Sequence, residues 1–241
     1  MVRITSHKLG LIVSDLEGTL TANMSYWKNL NLELGMTEKE DQKLYDEFLN
    51  HRDYVRWMEE ILARWKEINR NFPEKLNRKF FHEFNRKHLT IMEGAREFIQ
   101  YCKSHYIFYV ISGAPWEFCE LAKAELGFDD YYSTNKLYFN KDDQLERIEA
   151  DKYGFQKEKI MLKIAESYSF KKSQIIAIGD SENDFTMLNA AGLGILVGRN
   201  RTFPSLEKTL KKEIIRLEHL DFDRLKRIIA QYTEKLQTYF P

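Results

Sequence analysis

Cysteine is scarce: the 241 residues hold two, Cys102 and Cys119, too few for a disulfide framework or a thiolate metal cluster. Both fall in apolar helical patterns, where a small buried thiol in a reducing compartment is the simplest expectation. An excess of either charge is also missing. Lys and Arg total 37, Asp and Glu total 37, and that balance argues against a surface given over to nucleic acid or an anionic membrane. No stretch approaches the ~20 apolar residues of a membrane span. The N-terminal MVRITSHKLGLIVSD has no apolar run of signal-peptide length before Asp15, so a soluble, cytoplasmic protein is expected. Six histidines show no HExxH or paired spacing, which argues against a zinc site. Only four prolines and 11 glycines accompany 31% charged residues, a composition in keeping with a compact, ion-paired fold. There is no repeat, linker or low-complexity tract. What the chain does have is 43% hydrophobic and 14% aromatic residues, enough for a sizeable core and incompatible with global disorder. Its length suits one large domain, or a core domain with a small accessory one.

The first apolar run, LGLIVS (9–14), is short and β-branched and predicts a buried strand. From Ala22 to Met92 the character changes to 3.6-residue periodicity, as in YDEFLNHRDYVRWMEEILARW (45–65), with a break near Asn71–Pro73. This segment holds 13 basic and 12 acidic residues, but residues 64–88 hold eight basic against three acidic. That stretch is expected to be a solvated helix face, with steering of anionic substrates as its functional alternative. Afterwards the α/β rhythm resumes: helix 93–104, strand 107–112, a helix to about Leu126, and a hairpin over 137–148 turning at Lys141-Asp142-Asp143. Helix 156–169, strand 175–179, helix 182–190, strand 193–198 and a helical tail over 204–240 complete it. Strands alternating with helices predict an α/β fold, a doubly wound, parallel Rossmann-like sheet. The all-helical segment is an insertion. Residues 1–21 and 93–241 form the core domain, and 22–92 an inserted cap.

Open parallel sheets bind ligands beyond the carboxyl ends of their strands. The first predicted strand ends in Asp15-Leu16-Glu17-Gly18-Thr19, the second in Ser112-Gly113, and the one at 175–179 in Gly179-Asp180-Ser181-Glu182-Asn183-Asp184. Four of these carboxylates, Asp15, Glu17, Asp180 and Asp184, would repel one another at close range unless a cation neutralises them. An all-oxygen donor set suits Mg²⁺, which favours carboxylates, phosphate oxygens and retained waters. Glycines beside them let backbone N–H groups approach an anion. Each residue also has a plainer reading. Asp15 could cap a turn, Asp180 and Asp184 could complement the dipole of helix 182–190, and Ser112-Gly113 could be a helix entry.

DLEGT (15–19), YVIS (109–112) followed by Gly113, a lysine before the last motif, and GDSEND (179–184) occur in the order and on the elements that mark the haloacid dehalogenase superfamily of phosphohydrolases. The chain resembles that superfamily over roughly two-thirds of its length, and from Lys157 onward it looks most like the phosphoserine-phosphatase subgroup. The resemblance implies a Mg²⁺-dependent phosphomonoesterase acting on a small phosphorylated metabolite. Asp15 would be the nucleophile that forms an aspartyl-phosphate, and Glu17 the acid and base. Gly18, Ser112, Gly113 and Lys157 would bind the phosphoryl group, with Lys159 or Lys152 as the alternative lysine. Asp15, Glu17 (through its main-chain carbonyl), Asp180 and Asp184 would hold the metal.

Two departures from that pattern matter. Phosphatases of the superfamily usually carry Asp two residues after the nucleophile, where this chain has Glu17. Dehalogenases and transport ATPases lack a carboxylate there, and a few relatives with phosphotransferase ability carry Glu. Glu keeps the chemistry and adds one methylene. In the cap, the acidic residue that phosphoserine phosphatases present after the first motif corresponds to a position near Met24, which cannot pair with an ammonium. Their cap arginine has no single counterpart here; Arg56 and Arg64 are both near and are the alternative cap contacts to the substrate. Trp27, Trp57 and Trp65 are expected to pack between cap helices, or for one or two of them to face the leaving group. Transfer of the phosphoryl group to an alcohol is the alternative activity. A non-catalytic binding module is the other, its mark being loss of Asp15, Asp180 or the acid/base carboxylate, all of which are present.

Overall fold

The run GLIVS forms β1 (Gly10–Ser14), buried along its whole length. A strand can be apolar on both faces only where both are covered. In the computed structural model, which describes residues 8–22, 25–154, 156–198, 210–211 and 213–239, β1 lies between β2 (Tyr106–Pro115) and β5 (Ile175–Gly179) and runs parallel to both. Outward from β2 come β3 (Asp130–Phe139) and β4 (Leu145–Ala150). Outward from β5 come β6 (Leu193–Val197) and β7 (Ile215–Leu217), so the order is β4-β3-β2-β1-β5-β6-β7. Among the described strands β3–β4 is the one antiparallel pair. Alternation along β1 sends Leu11 and Val13 into one core and Ile12 into the other, each burial worth about 1.5–3 kcal/mol. The chain moves outward from β1 through β2 and β3, then returns to β5 on the opposite side. That reversal opens a crevice at the carboxyl ends of β1, β2 and β5.

Helices α5 (Ala95–Lys103), α6 (Trp116–Leu126), α7 (Lys157–Ser167), α8 (Phe185–Ala190) and α9 (Phe222–Tyr239) cover the sheet. Between β1 and β2 the chain forms α1 (Tyr26–Glu33), α2 (Glu38–His51), α3 (Tyr54–Ile68), a 3₁₀ turn at Pro73–Leu76, and α4 (Arg78–His88). Each of these four helices has a side-chain cap: Ser25, Thr37, Asp53 and Asn77 accept from the first-turn amides of Lys28, Glu40, Arg56 and Phe80, which satisfies donors that otherwise lack partners. The two linkers joining the helical segment to the sheet are hydrogen-bonded together, Ala22 N to Thr90 O at 2.9 Å and Met92 N to Leu20 O at 3.1 Å.

The doubly wound sheet with a helical cap matches the sequence expectation; three local differences stand out. The periodic stretch 45–65 is two helices, because Arg52 takes a left-handed conformation (φ 55°) and Asp53 starts a new one. The hairpin is longer than its alternation suggests, since β3 begins at Asp130 and pairs with β2 before it meets β4. The tail expected as helix over 204–240 is corrected. Residues 199–209 lie outside the described residues, Ile215–Leu217 form β7 beside β6, and the helix starts at Phe222. A three-residue edge strand is too short to carry a period of its own.

Candidate active site

Asp15 follows the last residue of β1, and its amide donates to Ile178 O of β5 at 2.9 Å. Strand pairing therefore sets Asp15 beside Asp180, the residue after β5. Carboxylate oxygens of Asp15, Asp180 and Asp184 all lie within 4.8 Å of one another, and all three residues are buried. Asp184 is fixed by the 180–184 turn: its Oδ2 accepts from the amides of Asp180 and Ser181 at 3.1 Å each, and from the Ser181 hydroxyl. Lys157, first residue of α7, reaches into this cluster with Nζ 2.6 Å from Asp15 Oδ1 and 2.7 Å from Asp184 Oδ1. Lys159 and Lys152 instead sit against the Tyr153 ring.

Burial pushes the Asp15 carboxyl up to about 6, with Lys157 pulling it down and Asp184 adding to the rise. Burial works against the Lys157 charge, yet Asp15 and Asp184 outweigh it and hold the ammonium above its ordinary value. Glu17 is half-buried beside them, and its Oε1 accepts from the Tyr26 amide at the start of α1. Burial first, then the neighbouring Asp15, raise its carboxyl to about 8 against the pull of that amide. At neutral pH Glu17 therefore holds its proton in the metal-free protein.

Three buried carboxylates thus meet at one point, with Lys157 on two of them. The oxygen-only donor set fits a hard divalent cation. A second observation agrees with that fit. Gly18 has φ +76°, and a Cβ there would fall 2.3 Å from Asp180 Oδ2, so the DLEGT turn can approach Asp180 only without a side chain. Gly18→Ala should weaken apparent divalent-cation affinity by about tenfold, because Asp180 must move, and cost about 1–2 kcal/mol for the left-handed backbone. Calorimetric titration and a melting curve check both; unchanged affinity would mean that Asp180 does not depend on this close approach.

On the other side of β1, Ser112 is fully buried in β2 and accepts from the Ala114 amide at 2.9 Å. Gly113 lines the same cavity as Asp15, Glu17, Lys157 and Asp180, a space of about 330 Å³. The rest of its wall comes from the cap and, on the core side, from Gly154 and residues 181–183. Trp27 and Trp57 line the cavity while only 7% and 8% exposed, so the two rings are packed among the cap helices and also border it. Trp65 is wholly buried beneath Trp27, the two rings stacked at 6.1 Å.

Arg56 and Arg64 do not line this cavity. Arg56 pairs with Glu60 at 2.7 Å, while Arg64 pairs with Glu40 and, at 2.6 Å, with Glu67. Their helical spacing placed them on the outward face of α3, where i,i+3 and i,i+4 acids meet them. Within the basic stretch Arg78 likewise pairs with Asp143, Lys79 with Glu83 and Lys87 with Glu33. Met24 lies outside the described residues. Tyr45 and Tyr54, which sequence reasoning did not single out, do line the cavity; the period of 45–65 says only that one helix face is buried. Cys102 and Cys119 are buried, and burial raises both thiols, as expected of inert packing residues. Among the described residues no helix is long and apolar enough to cross a membrane.

The family model for haloacid dehalogenase-like hydrolase matches residues 9–192. Phosphoserine phosphatase of Archaeoglobus fulgidus is 32% identical over 109 residues, 44% of this chain and 31% of that protein. Phosphoserine phosphatase of Campylobacter jejuni subsp. doylei is 36% identical over 110 residues, 44% of this chain and 52% of that protein. The matches thus span about half or less of these curated relatives. A solved structure described as a phospho-aspartyl intermediate analogue of phosphoserine phosphatase superposes with a TM-score of 0.68 at 26% identity, covering 93% of this chain and 99% of that one.

Proposed function

The chain belongs to the haloacid dehalogenase-like hydrolase family, and from that premise we propose that it hydrolyses small phosphomonoesters through an aspartyl-phosphate on Asp15. The observation that carries this reading is the buried cluster in which Lys157 bridges Asp15 and Asp184, with Asp180 alongside and the Gly113 turn across the same cavity. Residues 1–21 and 93–241 are the core and 22–92 the cap in this reading, supported by the paired linkers at Leu20–Ala22 and Thr90–Met92. A cavity of about 330 Å³ suits a small metabolite, and the cytoplasm remains the expected compartment.

Asp15, Asp180, Asp184 and the Glu17 main-chain carbonyl would hold Mg²⁺, which supplies charge neutralisation between an anionic nucleophile and an anionic phosphate. An Asp15 oxygen attacks phosphorus as the bond to the leaving oxygen breaks, and Glu17 gives that oxygen its proton. Glu17, now a carboxylate, takes a proton from water as the water oxygen attacks phosphorus and the bond to Asp15 breaks. Lys157 has three N–H donors, of which Asp15 and Asp184 take two; the third, with the Gly113 amide and the Ser112 hydroxyl, serves the equatorial phosphoryl oxygens.

Hydrolysis of an aryl phosphate should require Mg²⁺ and stop in excess EDTA, recovering when Mg²⁺ is restored. Full activity in EDTA would remove the metal from the reaction. Running the assay with an added alcohol separates the activities: released phosphate marks the hydrolase, phosphorylated alcohol the transferase that Glu17 leaves open, and neither product the binding module.

A further inference from the structure

The Gly113–Ala114 peptide is held at both ends. Its N–H donates to Ser112 Oγ at 2.9 Å. Its carbonyl accepts two hydrogen bonds, 2.8 Å from Trp27 Nε1 and 2.6 Å from Asn135 Nδ2. Trp27 belongs to α1 of the cap, whereas Asn135 belongs to β3 of the sheet. Asn135 Nδ2 also donates to the hydroxyl of Tyr54, on α3 of the cap. The Tyr54 ring in turn occupies the space above Gly154, where a Cβ would fall 2.2 Å from it. Two cap side chains therefore converge on one peptide in the last residues of β2, one directly and one through Asn135.

We propose that Trp27 and Tyr54 are positioning residues, a two-point clasp by which the cap fixes the Gly113–Ala114 peptide and through it the Ser112 hydroxyl and Gly113 amide. A carbonyl that accepts two bonds polarises its own peptide and strengthens the N–H bond on the far side. The Ala114 amide fills an acceptor site on Ser112 Oγ, so the peptide's orientation sets the direction of that hydroxyl. When the cap leaves, the direct donor is lost and Asn135 loses its second anchor. The phosphate-binding turn is thus complete only with the cap in place, which couples closure to the assembly of the oxyanion donors. The catalytic part of this inference rests on the phosphatase reading; the structural part does not.

The test is Trp27→Phe, which keeps an aromatic ring against Tyr26 and Trp65 and deletes the Nε1–H donor. Hydrogen exchange of the 112–114 amides in the full chain should accelerate by about three- to tenfold, the worth of one neutral hydrogen bond, while amides of β1 and β5 stay unchanged. With Mg²⁺ and an aryl phosphate, kcat should fall about 10- to 100-fold from misplaced donors, KM should move much less, and vanadate should bind more weakly in proportion to kcat. Unchanged exchange at 112–114 overturns the clasp; faster exchange with kcat intact overturns the positioning role of Trp27 and Tyr54. If the wild-type protein turns over no phosphomonoester, the phosphatase reading fails by itself and exchange alone decides whether the clasp exists. Should Trp27→Phe fold poorly, Tyr54→Phe removes a single oxygen from the other point and carries the same comparisons.

Discussion

Asp15→Asn should abolish turnover and leave the protein folded. Asn nearly matches Asp in volume, and its side-chain oxygen can still accept from Lys157, which now bonds Asp15 Oδ1 at 2.6 Å. The substitution also removes one negative charge from a buried cluster of three carboxylates, so repulsion with Asp184 is relieved and packing barely changes. What disappears is the anionic oxygen that attacks phosphorus. A rate loss of at least about 10⁴-fold, about 5.5 kcal/mol at the barrier, is expected. Steady-state kinetics and a melting curve on a deamidation-free preparation check both halves. A near-wild-type kcat in that folded variant would take the nucleophile role away from Asp15.

Glu17→Gln should discriminate between leaving groups. The amide oxygen of Gln can keep the hydrogen bond from the Tyr26 amide that Glu17 Oε1 now accepts, so the contact between the DLEGT turn and α1 survives and only proton transfer is lost. An alkyl phosphate leaves as a strongly basic alkoxide and needs that proton, whereas an activated aryl phosphate leaves as a weakly basic phenolate. Alkyl substrates should therefore slow by about 10²–10⁴-fold and aryl substrates much less, where formation of the intermediate limits the rate. Loss of the base slows the second step as well, and phosphorylated Asp15 should accumulate with activated substrates. The sign of the pH dependence follows from the raised carboxyl. In the metal-free protein burial and Asp15 raise Glu17 to about 8. A cation bound beside it lowers that value, and kcat/KM for alkyl phosphates should fall as pH rises through the pKa of the metal-loaded enzyme and the proton is lost. Glu17→Gln should lack this alkaline limb. Equal, small losses on both substrate types, with no trapped phosphoenzyme, would reduce Glu17 to a shaper of the loop.

The chemistry was legible in the sequence because it sits at strand ends. An apolar strand announces itself by composition, and the residue after it must lie at the sheet's carboxyl edge, so LIVS-Asp15, YVIS-Gly113 and IIAIG-Asp180 could be gathered into one site before any coordinates. Lys157 was harder to read, since lysines abound around it. Its choice rested on spacing to the following strand, and the structure puts that lysine, rather than Lys152 or Lys159, between Asp15 and Asp184.

The cap was legible as helices but not as a wall. Periodicity says that a face is buried without saying against what, so Trp27 and Trp57 carry two readings, packing or facing the leaving group, and Tyr54 carries none. They are core, and they also edge the cavity, because a small cap laid across a sheet uses one aromatic layer for both purposes. Arg56 and Arg64 illustrate the converse. Nearness in sequence suggested the cleft, and the turn of α3 carried them away from it to Glu60, Glu40 and Glu67. By itself the sequence determined the α/β core, the inserted helices and the carboxylates at the strand ends, since each follows from local composition and the alternation of strands with helices. Only the tertiary structure decided which cap residues meet the Gly113 turn, that β7 closes the sheet edge, and that Lys157 shares two carboxylates. Those are contacts between residues far apart in the chain, and their geometry is set by how helices pack over the sheet.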